Sequence, residues 1–269
     1  MKSIAIYLFN KPLVNLTILT ILISALFLIN IGARPFSAPS ESRYVEIGRE
    51  MAESGDFVTP RLNYVKYFEK PPLFYWIQAL NTKYIGIDAF SARLPTAFFT
   101  VLLCLATYFL AMTLYNEKRT AWLSTFVLAT TIYTFSLSRI VLVDLPVSLF
   151  MVLTLTSFLY FIKYPESRFR NIAIYLMYVF AALAVLSKGL IGAILPGAVI
   201  FLWLCFKCNW RSFINDLLNR KMIPCYVFVG MYALPLWSLV PYFILFLIFV
   251  VWFVSAENFN FLKKTKIIT

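Results

Sequence analysis

Glu69-Lys70, Asp144 and Lys188 are the side chains of this sequence best placed to do chemistry, together with Glu41, Arg43 and Arg139. They come from four distant stretches, yet each sits at the edge of a long apolar run. Charge beside a bilayer is costly, so groups retained there usually act on something. Carboxylates gathered with ammonium and guanidinium groups suit an anionic lipid head group: Lys and Arg hold phosphate, and a carboxylate serves as base, orienting group or metal ligand. The chain contains no His, which removes the usual general base and the commonest metal ligand. Acid–base work must then fall to carboxylates, Lys or Tyr.

The elements that position these groups follow from hydropathy. The 269 residues are 61% hydrophobic and 18% aromatic, too apolar for a soluble domain, so the chain reads as a polytopic membrane protein. The first run, 13–31, follows Lys2 and Lys11 and has no small-residue cleavage site after it; it predicts an uncleaved first helix with a cytoplasmic N-terminus. Further spans are expected over 94–115, 120–137, 145–162, 171–187 and 190–206, with an ambiguous region at 222–254, for about seven transmembrane helices (six to eight) in an all-α fold. Residues 1–269 read as a single transmembrane domain with a first extracytoplasmic loop at 33–92.

Basic clusters fix the orientation. Lys118/Arg119, Lys163/Arg168/Arg170 and Lys207/Arg211/Arg220/Lys221 all fall on one side when 94–115 crosses and 71–87 does not. Stretch 71–87 is therefore expected to lie in the interface, with Phe74, Tyr75, Trp76 and Ile77 dipping into lipid and Gln78, Asn81, Thr82 and Lys83 facing water. Within the polar island at 40–72, residues 43–54 predict an amphipathic helix: Tyr44, Val45, Ile47, Met51 and Ala52 recur at helical spacing, and Arg43, Glu46, Arg49, Glu50 and Glu53 occupy the other face. Ser42 is its expected cap and Gly55 its stop. The net charge of +12 is thus a topology signal rather than a nucleic-acid footprint. The four cysteines lie in or beside apolar runs, and Cys205-Phe-Lys-Cys208 lacks a second pair, which argues for reduced thiols rather than a metal site.

The stretch PSESRYVEIGREMAESGDFVTPRLNYVKYFEKPPLFYW, followed by DAFSARLPTAFF, SRIVLVDLP and VLSKGLIG, resembles the aminoarabinose transferase and protein mannosyltransferase superfamily, and the aminoarabinose branch best. These are polyprenyl-phosphate-dependent glycosyltransferases of the GT-C type. The resemblance implies interfacial helices in the first loop, a polyprenyl-phosphate-linked sugar as donor, lipid A or a similar acceptor, and a periplasmic active face in a bacterial inner membrane. By position it implies Glu41 and Asp144 as catalytic carboxylates and Glu69 as ligand of a divalent metal ion or as a sugar contact. It implies Arg43, Tyr44, Lys70, Arg139 and Lys188 as substrate-binding groups.

Two departures qualify these expectations. The family has Asp-Glu after the proline, whereas this chain has Ser40-Glu41. Family members are also about twice as long and carry a metal-binding His in a later loop, so the sequence is expected to match the N-terminal part of such an enzyme. Competing readings are a catalytically inactive remnant or lipid-binding partner subunit, and a protein O-mannosyltransferase. A transporter is disfavoured because no charge falls deep inside a predicted span. Asp144 near Pro146, and Lys188-Gly189, also read as plain helix ends.

Overall fold

The structure, a computed structural model, describes residues 12–36 and 39–207. Nine helices and one hairpin occur among them: α1 (Pro12–Leu28), α2 (Pro39–Ser54), β1 (Arg61–Leu62), β2 (Val65–Lys66), α3 (Leu73–Tyr84), α4 (Ala89–Tyr115), α5 (Lys118–Thr130), α6 (Ile132–Leu137), α7 (Asp144–Lys163), α8 (Arg170–Lys188) and α9 (Ile191–Lys207). Helices α4, α7 and α8 are long and apolar enough to cross a membrane, and α1 and α9 contain shorter apolar stretches. The polytopic helical fold is as expected; residues 222–254 lie outside the described set. The chain divides into two compact units, Met1–Pro196 and Gly197–Thr269. The architecture below belongs to the first, and the expectation of one domain across 1–269 reaches beyond the described residues.

Helix α4 is the central post, packed by α1, α5 and α7, with α8 against α7. Asp88 starts it, its carboxylate accepting the Phe90 N–H (3.3 Å), and Asn116 ends it in the left-handed region (φ 54°). The basic ends of α4, α7 and α8 coincide as the charge pattern predicts. Lys163 donates to the carbonyls of Thr113 (2.7 Å) and Leu114 (3.0 Å), and the Arg170 guanidinium lies 4.3 Å from the centre of the Phe161 ring. The run expected to span 120–137 is instead broken at Thr131, whose backbone is extended (ψ 127°). The Thr131 hydroxyl bonds back to the Val127 carbonyl (2.7 Å), the acceptor that loses its helical N–H at the break, and the Thr130 hydroxyl bonds to the Phe126 carbonyl (2.8 Å).

Helix α3, at 12 residues, is not among the helices long and apolar enough to cross a membrane, and its faces differ from the sequence reading. Phe74 and Tyr75 are buried against Tyr44 of α2 rather than immersed in lipid, and Gln78 and Asn81 are buried rather than wet. Pro95 explains the second point. It has no N–H for the Ser91 carbonyl one turn back, and Asn81 Nδ2 donates there instead (2.7 Å), while Gln78 Nε2 donates to the Ala92 carbonyl (3.0 Å). Helix α2 crosses α3 closely because residue 48 is Gly: a Cβ there would lie 2.8 Å from Gln78 Cβ. Helix α2 begins at Pro39, so Ser42 lies inside it and does not cap it.

Candidate active site

The hairpin sets the first half of the site. Glu50, expected on the wet face of α2, is buried, and both its oxygens accept the Tyr64 N–H (3.2 and 3.0 Å). This fixes the turn in which Asn63 and Tyr64 have positive φ (52° and 64°). The strand leaving it carries Tyr67, whose N–H donates to the Pro60 carbonyl (2.9 Å). Its hydroxyl donates to Glu69 Oε2 and accepts from Arg43 (3.1 Å). Arg43 also stands 3.6 Å from Glu69, and Lys70 4.0 Å from it. Arg43, Tyr67, Glu69 and Lys70 therefore form one cluster. The Tyr67 hydrogen bond, then Lys70 and Arg43, hold the Glu69 carboxyl below its ordinary range, and it works as an anion.

The second half lies at the facing helix ends. Asp144 is the first residue of α7 and Lys188 the last of α8, and the two form a half-buried ion pair. The Lys188-Gly189 helix-end reading holds together with the pairing: Gly189 stops α8 at φ 84°, and Lys188 meets the negative end of its helix. Asp144 opens α7 without capping it, since Val143 occupies the cap position and no side chain bonds there.

Apolar packing brings the halves together. Tyr44, Phe74 and Tyr75 share one core cluster with Val143, the residue before Asp144, and Tyr67 packs against it. Leu73, two residues after Pro71, packs with Leu145 and Ala184. A Cβ at Gly189 would be 4.0 Å from Pro71 Cγ. The Tyr44 phenol feels both sides: burial raises its pKa most, followed by Tyr67 and the charges of Asp144 and Glu69. Tyr75, fully buried beside Tyr44, has a hydroxyl with no hydrogen-bond partner among the described residues and a pKa pushed up chiefly by burial, so it stays a proton donor. A groove of about 540 Å³ lined by Phe109, Tyr160 and Ile172 lies beside the α4 and α7 C-termini, away from these groups.

Two expected site residues are elsewhere. Glu41 is fully buried and both its oxygens are engaged by Arg93, at 2.7 and 3.1 Å, so it is placed as a structural carboxylate rather than a catalytic one. Arg139 donates to the carbonyls of Ile29 (3.0 Å) and Asn30 (3.4 Å) just beyond α1, and its guanidinium lies 4.3 Å from the centre of the Phe135 ring. It closes a helix end. Arg93 is the residue the sequence reading missed. A helix start placed at the Asp88 cap, rather than at 94, puts a guanidinium one turn inside an apolar helix, where it demands a carboxylate.

Glu69 is the residue that the resemblance implies as ligand of a divalent ion. Glu69 accepts one hydroxyl and faces two cations, and among the described residues no three His, Cys, Asp or Glu side chains come together. What the arrangement offers is positive charge from Lys70, Lys188 and Arg43, carboxylates at Glu69 and Asp144, and aromatic walls.

The undecaprenyl phosphate-alpha-4-amino-4-deoxy-L-arabinose arabinosyl transferase of Pectobacterium atrosepticum is 32% identical over 189 residues, covering 70% of this chain and 34% of that protein. The enzyme of the same name from Shewanella sediminis is 29% identical over 211 residues, or 78% and 38%. The crystal structure of ArnT from Cupriavidus metallidurans bound to undecaprenyl phosphate superposes with a TM-score of 0.71 at 26% identity, covering 91% of this chain and 42% of that one. The chain thus spans about a third of the length of the curated relatives it matches. With residues 13–257 matching throughout, the chain belongs to the dolichyl-phosphate-mannose-protein mannosyltransferase family.

Proposed function

We propose that this chain carries the donor-binding part of a membrane glycosyltransferase. Its donor is a polyprenyl-phosphate-linked sugar, and its acceptor is lipid A or another lipid at the periplasmic face of a bacterial inner membrane. The N-terminus would lie in the cytoplasm. The observation that supports this is the closeness of Pro71 and Gly189, which brings the segment carrying Lys70 beside the end of α8 carrying Lys188, each ammonium group next to a carboxylate. The arabinosyl transferases it resembles, named for an undecaprenyl-phosphate sugar, support the same donor class.

In the reaction the bond from the sugar's anomeric carbon to the phosphate oxygen breaks, and the phosphate leaves with the electron pair. Lys70 and Lys188 stabilise that negative charge. The acceptor oxygen forms the new bond to the anomeric carbon. A hydroxyl acceptor must lose its proton to a carboxylate, and we assign that role to Asp144, since Glu41 is committed to Arg93 and Glu69 already accepts the Tyr67 hydroxyl. A phosphate acceptor is already deprotonated and needs no base.

Ser40, where the family has Asp, favours a second reading in which the chain binds the lipid donor without turning it over. Transfer from a labelled polyprenyl donor separates the two. Ser40→Asp is expected to raise transfer to a hydroxyl acceptor by roughly 10²-fold or more, the range general-base catalysis supplies, and to change transfer to a phosphate acceptor little. Donor binding without transfer, before and after the substitution, supports the binding-only reading. Failure to bind donor at all sinks both.

A further inference from the structure

We propose that Arg93, through Glu41, is a positioning residue that holds the two halves of the site at a fixed separation; this rests on the sugar-transfer reading above. Arg93 sits on α4 and is 1% exposed. Its Nε and one terminal nitrogen bind the two Glu41 oxygens (2.7 and 3.1 Å). The terminal nitrogens also donate to the carbonyls of Ile31 (2.9 Å), Arg34 (2.6 Å) and Pro35 (3.1 Å). Glu41 Oε1 in turn accepts the Val141 N–H (3.3 Å). One buried ion pair therefore ties four segments: the exit from α1, the first turn of α2, the body of α4 and the loop before α7.

The two ends of this tie lead straight into the site. Glu41 precedes Arg43 and Tyr44 on the same helix, and Val141 precedes Asp144 by three residues. Helix α4 supplies the rigid reference for both. An apolar pair of equal volume would hold such a junction as firmly, because the desolvation of two buried charges offsets their attraction. What a guanidinium–carboxylate fork adds is direction: two parallel hydrogen bonds fix the angle between the partners as well as their distance. Catalytic groups must stay within a fraction of an ångström of their working geometry, and small displacements cost rate rather than affinity. Lys in place of Arg keeps the charge but loses the fork.

The test uses the full chain in lipid nanodiscs with a polyprenyl-phosphate sugar. Arg93→Lys and the milder Glu41→Gln are compared with wild type for kcat and KM toward the donor. The expected result is kcat lowered about 30-fold or more by Arg93→Lys, with KM within about threefold, since binding groups are intact and only their mutual placement is loosened. Folded variants with unchanged kcat, or with KM raised and kcat intact, overturn the proposal. A second measurement does not need turnover. Nitroxide labels at Phe68→Cys and Leu190→Cys, in a chain whose native cysteines are replaced by Ser, report the separation of the two halves. Their distance distribution should broaden in both variants. A narrow, unmoved distribution overturns the positioning role whatever the activity, whereas a broadened one in a chain that never transfers sugar keeps the role and removes the sugar-transfer reading.

Discussion

Lys188→Ala is expected to weaken binding of a polyprenyl phosphate by about 10- to 100-fold, and Asp144→Asn to leave it within about threefold of wild type. The asymmetry comes from the ion pair at the ends of α7 and α8. Removing Lys188 takes away a charge-assisted contact to phosphate, worth about 1.5–3 kcal/mol, and also leaves an unneutralised carboxylate facing the ligand. Removing the Asp144 charge instead releases Lys188 toward the phosphate, which offsets the lost orientation. Transfer to a hydroxyl acceptor should nonetheless fall with Asp144→Asn, because that carboxylate is the proposed base. Titration of the purified chain with polyprenyl phosphate reads both variants. Equal losses for the two would mean that the pair acts only as a clasp between helices.

Glu41→Ala should destabilise the folded chain by about 3–5 kcal/mol, the range for breaking a buried ion pair and stranding one partner. Arg93 would keep its backbone carbonyl acceptors but lose its counter-charge in an almost fully buried position. Glu46→Ala is the internal control. Its pair with Arg49 is a half-buried i,i+3 contact on the same helix, still open to water, and such helix-surface pairs contribute about 0.2–0.5 kcal/mol. Unfolding of the two variants in detergent, followed against wild type, should separate them clearly. Comparable losses at positions 41 and 46 would show that burial of the Glu41–Arg93 pair does not govern stability.

How much of this was legible in the sequence depends on whether a group's partner is local. Asp144 and Lys188 could be placed because each ends an apolar run whose length and charge flanks mark where the membrane stops. The Tyr67-Phe68-Glu69-Lys70 cluster could be placed because its members are neighbours along the segment that follows β2. Glu41 and Arg93 lie 52 residues apart, and nothing in the pattern around either announces the other. Glu41 therefore read as a free acid at a helix start. Gln78 and Asn81 were misplaced for a related reason. Their types suggest water, but they answer carbonyls that Pro95 and the close crossing of α3 and α4 leave for them. Arg139 looked like a phosphate contact because a guanidinium at a membrane edge suits an anion, yet the carbonyls beyond α1 claim it. The helix-period pattern around 120–137 likewise gave no sign that the Thr131 hydroxyl would stabilise a break at its own position.

The central claim is that the Glu69–Lys70 and Asp144–Lys188 groups face one lipid-phosphate site on one side of the membrane. Labelling of single cysteines at 68 and 190 with a membrane-impermeant maleimide, in intact spheroplasts with the native cysteines replaced by Ser, tests it directly. Both positions should label from outside, and added polyprenyl phosphate should protect both. Labelling of either only after permeabilisation, or protection of one without the other, would contradict a shared outer-face site.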